Sequence, residues 1–171
     1  SFKHWLGNRF IKSGENSVPL AKYWLKSPDR RQYSGVCFDP SGSPTDYYNL
    51  WKGFGVEPIN EGSCDLFLKH IRQNVCGNDD DLYNWVIGWF AQIVQNPSKK
   101  LGTSLVLRGK QGTGKTVVGK VFGKLFGPHY VQVANPRYIN SQFNSHLSSC
   151  LLLQCDEGFW AGDKGAEGTL K

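Results

Sequence analysis

Methionine is absent from the 171 residues. Ordinary usage would give roughly three or four, and a complete gene product begins with one, so the sequence reads as an internal piece of something longer. Acidic residues are also missing over a long interior stretch: from Leu82 to Cys155 there is no Asp or Glu. The five cysteines, at positions 37, 64, 76, 150 and 155, form no Cys-x-x-Cys pair and are odd in number. A zinc site or a disulfide framework therefore fits poorly, and free thiols in a reducing compartment fit best. That compartment is expected to be the cytoplasm. No apolar run approaches the roughly 18 residues of a membrane helix, and Ser1–Phe10 carries no signal-peptide core. What remains is an ordinary globular composition, 39% hydrophobic, 13% aromatic and 20% charged, which excludes disorder and collagen-like repeats.

The acid-free stretch holds Lys99, Lys100, Arg108, Lys110, Lys115, Lys120, Lys124 and Arg137, so it is far more basic than the net charge of +6 suggests. Such an excess favours polyanions, meaning nucleotides, nucleic acid or both. The competing account is that several of these lysines solvate one face of a helix.

Three regions separate by pattern. Residues 1–62 are irregular, rich in turn formers and aromatics, with Pro19, Pro28, Pro40, Pro44 and Pro58 precluding long helices. Short helical or extended pieces are expected at Leu20–Lys26 and Tyr47–Phe54. Aromatic residues interleaved with Arg30, Arg31 and Lys52 suit stacking on single-stranded bases, but a small aromatic core is the favoured reading. Residues 63–97 read as a helical pair. The first runs from Asp65 to Val75 with Leu66, Leu68, Ile71 and Val75 near one face. The second comes after Asp79, Asp80 and Asp81, with Leu82, Trp85, Val86, Trp89, Phe90 and Ile93 on one stripe and Asn96-Pro97 as its stop. Its tryptophans are expected in the core. Residues 98–171 alternate strand and helix: strand Ser104–Arg108, helix Lys115–Phe126, strand Tyr130–Val133, helix Ile139–Leu147 and strand Cys150–Cys155. That order predicts an α/β fold with a parallel sheet.

The most informative run is Gly109-Lys110-Gln111-Gly112-Thr113-Gly114-Lys115-Thr116, a full match to G-x-x-x-x-G-K-[ST]. The glycines let successive backbone N–H groups turn inward toward phosphate oxygens, and the helix opening at Lys115 adds the positive end of its dipole. Lys115 is then the group that reaches β- and γ-phosphates, and the Thr116 hydroxyl is a Mg²⁺ ligand. Gly119 and Gly123 in that helix suit close packing on the sheet. A phosphate loop also needs a metal-positioning acid at the end of a neighbouring buried strand, and Cys150–Cys155 with Asp156-Glu157 after it supplies one. Asp156 is expected to hold the Mg²⁺ shell, and Glu157 to orient or deprotonate the attacking water. A solvated surface turn is the alternative for the pair, and Gln154 makes the strand less apolar than usual. Only 41 residues separate Lys115 from Asp156, room for one strand and one helix.

Several stretches resemble the phage- and plasmid-type primase–helicases, whose motor is similar to superfamily 3 helicases within the AAA+ group. They are Tyr23-Trp24-Leu25 through Arg30-Arg31, Val36–Pro40, Tyr48–Gly53, Trp89-Phe90-Ala91, Gly109–Thr116, Phe143–Leu147 and Asp156–Lys164. The Asn-Leu-Trp-x-Gly and Asp-Glu-x-Phe-Trp-Ala-Gly-Asp-Lys runs are the specific ones. The resemblance implies a C-terminally incomplete P-loop ATPase core behind an aromatic-rich and helical region. It further implies an ATP–Mg²⁺-driven DNA motor, a hexameric ring in the full-length protein, acting on single-stranded DNA with a primase or polymerase domain on the same or a partner chain, away from membranes. Lys115 and Thr116 carry over for ATP–Mg²⁺, and Asp156 and Glu157 for metal and water. The sensor and arginine of such families have no position before Lys171, so hydrolysis by this segment alone is doubtful. Lys164 and Lys171 are candidates for a DNA channel and His146 for a coupling residue, with a solvated helix and a helix-end histidine as their plainer accounts. Arg137 and Tyr138 stand equally open. A non-hydrolysing nucleotide- or DNA-binding module is the alternative, and a small-molecule kinase is disfavoured because Leu125–Cys155 offers only Arg137 as a lid arginine.

Overall fold

A computed structural model describes residues 2–42, 44–134 and 147–156. The chain divides into two compact units, Ser1–Val36 with Thr45–Tyr48, and Cys37–Pro44 with Asn49–Lys171. The helices are α1 (Phe2–Trp5), α2 (Leu20–Lys26), α3 (Asp65–His70), α4 (Asp80–Gln95) and α5 (Lys115–Gly123). The strands pair as β1 (Phe10–Ser13) with β2 (Asn16–Pro19), β3 (Gly35–Cys37) with β4 (Tyr47–Asn49), and β5 (Tyr130–Val133) with β6 (Leu152–Cys155).

The first unit is built on the β1–β2 hairpin. Ser13 pairs with Asn16 across a two-residue loop, and Gly14 at φ +64° supplies the left-handed turn that matches strand twist. Helix α2 begins at once, tied by Leu20 N–H donating to the Arg9 carbonyl at 2.7 Å. Leu6 and Ala21 are buried, and Phe2 packs on Trp24 at 5.2 Å between ring centres. Arg30, weighed as a base-stacking partner, is spent locally, with Nη1 donating to the Leu25 carbonyl and Nη2 to Gln32 Oε1.

The second unit carries the main core of Ile71, Cys76, Val86, Phe90, Ile93, Val118, Phe122, Phe126 and Leu152. Helix α4 forms where its period predicts. Asp79 Oδ1 accepts from Leu82 N–H at 2.9 Å, capping the first turn, and Asp80 and Asp81 lie at the positive end of the dipole. Val86, Phe90 and Ile93 face the core, and Phe90 stacks on Phe122 of α5 at 4.2 Å. Trp89 packs against that core and donates Nε1–H to Thr103 Oγ1 at 3.2 Å. Trp85, expected inside with it, is 50% exposed. The apolar stripe is wide enough that its edge faces solvent.

The helix expected over Asp65–Val75 is α-helical only to His70. Ile71–Val75 forms a π turn, closed by Cys76 N–H donating to the Ile71 carbonyl at 2.9 Å. A π turn inserts an extra residue and so rotates the helix faces on its two sides relative to each other. Phe67, four residues before Ile71, reaches the core beside Phe90, whereas Leu66, expected on the same face, lies five residues before Ile71, about 140° round the helix, and is 86% exposed.

Strands β5 and β6 run parallel, Tyr130 opposite Leu152 through Val133 opposite Cys155. Gly119 and Gly123 of α5 back directly onto them. A Cβ on Gly119 would collide with the Gln154 side-chain amide, and one on Gly123 would come 2.5 Å from the Tyr130 ring. The strand expected at Ser104–Arg108 does not form among the described residues. Its residues alternate in burial, with Leu105 and Leu107 against the core and Val106 82% exposed, but no ladder pairs them. The alternating side chains are the local part of a strand; the ladder needs a neighbour. Instead Leu101, Thr103, Ser104 and Leu105 border one cleft of 760 Å³ with Cys150–Leu153. The fold is thus mixed α/β with a two-stranded parallel sheet. The helix expected at Ile139–Leu147 lies outside the described residues except for Leu147.

All five cysteines are free thiols, as their count and spacing predict. Among the described residues no helix is long and apolar enough to cross a membrane.

Candidate functional site: the glycine-rich loop and Asp156

The loop Gly109–Thr116 runs in a turn without regular structure and enters α5 at Lys115. Gly112 at φ +80° and Gly114 at φ +82° take left-handed conformations that cost other residues steric strain. The turn curls around the Lys115 ammonium. Lys115 Nζ donates to the carbonyls of Gly109 at 2.9 Å and Lys110 at 2.7 Å, and approaches Thr113 Oγ1 at 3.4 Å. Thr113 Oγ1–H in turn donates to the Lys110 carbonyl at 2.9 Å. Those partners are neutral; the described residues show no carboxylate on Lys115, and an exposed ion pair, Arg72–Asp80, lies elsewhere. Gln111 is exposed at the loop's tip.

From the other end of the sheet comes Asp156. Its N–H donates to the Val133 carbonyl at 2.9 Å, extending the β5–β6 ladder by one step and fixing where the side chain starts. Thr116 Oγ1–H donates to Asp156 Oδ1 at 2.9 Å, and Gln132 Nε2–H to Oδ2 at 2.8 Å. The carboxylate is felt nearby. Burial first, and Asp156 second, push the Tyr130 hydroxyl and the Cys155 thiol above their ordinary values. Gln154, which breaks the apolar run of β6, is used: it accepts from the Tyr130 hydroxyl and donates to the Thr116 carbonyl at 3.3 Å. It ties strand, helix and loop together.

Two oxygens that suit a hard cation, one hydroxyl and one carboxylate, thus lie together at the end of β6 beside an ammonium and a helix N-terminus. Among the described residues no three His, Cys, Asp or Glu converge. This donor set matches Mg²⁺ that arrives with a phosphate chain and keeps most of its waters, rather than a closed protein cage. Glu157, Arg137, Tyr138, His146, Lys164 and Lys171 lie outside the described residues, as do Phe143–His146 and Glu157–Lys164 of the resembling stretches.

Two histidines escaped the sequence reading. His129 is buried. Its Nε2 accepts from Lys52 N–H at 3.0 Å, its Nδ1–H donates to the Ser149 carbonyl at 2.8 Å, and its ring stacks on Trp51 at 4.7 Å. The Asn49–Gly53 run is therefore braced on the turn before β5. Gly55 adds to this by packing backbone to backbone on Gly127, with Gly55 N–H donating to the Leu125 carbonyl at 2.7 Å. His70 ends α3 with its ring against Gly114 of the loop. A lone histidine, at the end of a helix or in the turn before a strand, carries no sequence signal for either position.

The fold and site together define a mixed α/β protein whose glycine-rich loop opens a helix beside the end of a parallel strand. Within that class the chain is homologous to a DNA primase-polymerase of Nitratiruptor phage NrS-1, 29% identical over 141 residues. The match takes in 81% of this chain and 18% of that protein, so the chain spans about a fifth of its relative. Two structures of the NrS-1 C-terminal region superpose on 85% of the chain. One gives a TM-score of 0.61 at 26% identity over 39% of its length, the other 0.60 at 25% over 40%. A family described as of unknown function, DUF5906, matches residues 107–171, which contain the loop from Gly109 and Asp156.

Proposed function

We propose that this chain is the ATP-binding segment of a phage-type replicative helicase of the primase–helicase kind, coupling ATP hydrolysis to movement along single-stranded DNA. The observation that carries the reading is the hydrogen bond between Thr116 and Asp156, 40 residues apart, beside the Lys115-centred loop. A glycine-rich turn with no role in phosphate binding has no need of a carboxylate at that hydroxyl. In this reading the segment is the first half of a P-loop core of the AAA+, superfamily 3-like type. The name of the NrS-1 relative, a DNA primase-polymerase, supports a place in phage DNA replication.

The roles come from the chemistry of the groups. Backbone N–H groups of Gly112–Thr116 and the α5 dipole receive the phosphate oxygens, and Lys115 turns its ammonium from the loop carbonyls onto the β- and γ-phosphates. Thr116 and Asp156 would hold Mg²⁺, which when bound neutralises charge building on the phosphates. Glu157 would orient the attacking water and accept its proton. The acid-free, basic stretch around the loop favours a polyanionic partner, single-stranded DNA. A homo-oligomeric ring, a primase or polymerase domain on the same or a partner chain, and the host-cell cytoplasm belong to the same proposal.

One experiment tests the centre of it. Titration of the chain with a fluorescent ATP analogue should show Mg²⁺-dependent binding that Lys115→Ala abolishes, and binding of single-stranded DNA should weaken steeply with salt. Absence of nucleotide binding by the unsubstituted chain would refute the reading. A second reading, a non-hydrolysing nucleotide- or DNA-binding module supporting a primase-polymerase, is favoured by the relative's name, which mentions no helicase. Binding without ATP turnover in a longer chain that includes the later motor elements would select it.

A further inference from the structure

Among the described residues, the buried side-chain polar atom without a hydrogen-bond partner is His70 Nε2. The other ring nitrogen identifies it as a donor. Asn74 Nδ2 lies 2.9 Å from His70 Nδ1; with the amide in that orientation Nδ1 accepts, which assigns the ring proton to Nε2. That donor is aimed at the phosphate loop. A Cβ built on Gly114 would come 2.6 Å from His70 Cε1 and 2.8 Å from Nε2. Gly114 is the left-handed residue that caps α5 and precedes Lys115.

The backbone around His70 is shaped to aim it. His70 is the last residue of α3, and the π turn Ile71–Val75 begins directly after it, anchored by the fully buried Ile71 and bringing Asn74 onto the ring. Single π turns recur where a helix must present a side chain at an angle the regular period does not allow. A phenylalanine would fill the same space without stranding a buried donor, which costs free energy. A histidine held by Asn74 against a phosphate loop, its second nitrogen unspent, has a use for that nitrogen.

We propose that His70 is a positioning residue of the phosphate loop. Its ring backs Gly114, and its Nε2–H is spent on a loop carbonyl once Lys115 and the loop N–H groups take up a phosphate chain. The helical pair then sets the shape of the nucleotide site as well as filling the core. This inference rests on the nucleotide-binding reading.

The test uses the 171-residue chain, Mg²⁺–ATP and inorganic tripolyphosphate. His70→Phe keeps the ring and removes the donor, and should weaken binding of both probes about tenfold with the melting temperature not lowered. His70→Gln, which restores an N–H, should regain most of that loss. In the unsubstituted chain labelled with ¹⁵N-histidine, the His70 Nε2–H signal should shift and become protected from exchange on saturation with Mg²⁺–ATP. Binding by His70→Phe within twofold of the unsubstituted chain, or an Nε2–H signal that saturation leaves unmoved, overturns the proposal. If Lys115→Ala loses binding while His70→Phe keeps it, the positioning role alone falls. If the unsubstituted chain binds neither probe, the nucleotide reading falls and takes this role with it. Should His70→Phe fail to fold, the labelled unsubstituted chain decides.

Discussion

Replacing His129 by phenylalanine separates its hydrogen bonds from its packing. The phenylalanine ring keeps the volume stacked on Trp51 and beside Phe38, but it loses the acceptor of Lys52 N–H and the donor to the Ser149 carbonyl. Both partners are only partly buried, so each lost bond costs about 0.5–1.5 kcal/mol and the two together about 1–3 kcal/mol. Since the ring faces remain covered, little of that loss is packing. With an m-value of about 2 kcal/mol per molar urea, the unfolding midpoint should fall by about 0.5–1.5 M. Near-UV circular dichroism reports it directly, because Trp51 sits on the altered ring. A midpoint within about 0.3 M of the unsubstituted chain would refute the argument that His129 locks the Asn49–Gly53 run to the sheet.

Single groups carry further expectations. Asp79→Ala removes the acceptor of Leu82 N–H and should cost about 1 kcal/mol, seen as a melting temperature lower by about 2–4 °C. An unchanged melting temperature would mean that Asp79 does not cap α4. Burial pushes the Cys150 thiol up to about 11, from an ordinary 9.0. A raised value keeps the thiol protonated, so at pH 8 only about a thousandth is thiolate, against about a tenth for an ordinary thiol. Alkylation of Cys150 should therefore run about a hundredfold slower than that of an ordinary thiol in a short reference peptide, and rise about tenfold per pH unit toward pH 11. Equal rates at pH 8, read by mass spectrometry of the Cys150 peptide and the reference peptide, would contradict the partly buried setting of Cys150.

Features written in short sequence windows were legible. The α4 stripe from Val86 onward, its Asp79–Asp81 start, the beginning of the Lys115 helix and the Tyr130–Val133 strand formed where period and end signals put them, whereas that helix, expected to Phe126, gives way at Gly123 to a 3₁₀ turn over Lys124–His129. Each rests on neighbours a few residues apart. Errors arose where a local pattern needed a distant partner or a local exception. Ser104–Arg108 has the alternation of a strand but no ladder among the described residues. Leu66 was instead a miscount of the period: it lies five residues from Ile71, about 140° off the face that Phe67, Ile71 and Val75 share. At the candidate site, the loop glycines and Lys115 were readable because φ > 0 and G-x-x-x-x-G-K-[ST] are local properties. The importance of Gln154 was misjudged, because its partners Tyr130 and Thr116 are remote in sequence.

The sequence by itself therefore determined the parts of this protein whose causes lie within one or two turns of chain. These are the capped amphipathic helix, the left-handed glycines of the loop, the free thiols, and an acid-free basic stretch closed by Asp156-Glu157. Only the tertiary structure decided which of those parts meet. Thr116 reaches Asp156 because β5 and β6 pair in parallel and the ladder carries Asp156 to the start of α5. His129 joins Lys52, 77 residues earlier in the chain, to Ser149, and His70 is set against Gly114. Hydrogen bonds and close packing act over about 3–4 Å of space whatever the separation along the chain, so these meetings are properties of the fold and not of any window of sequence.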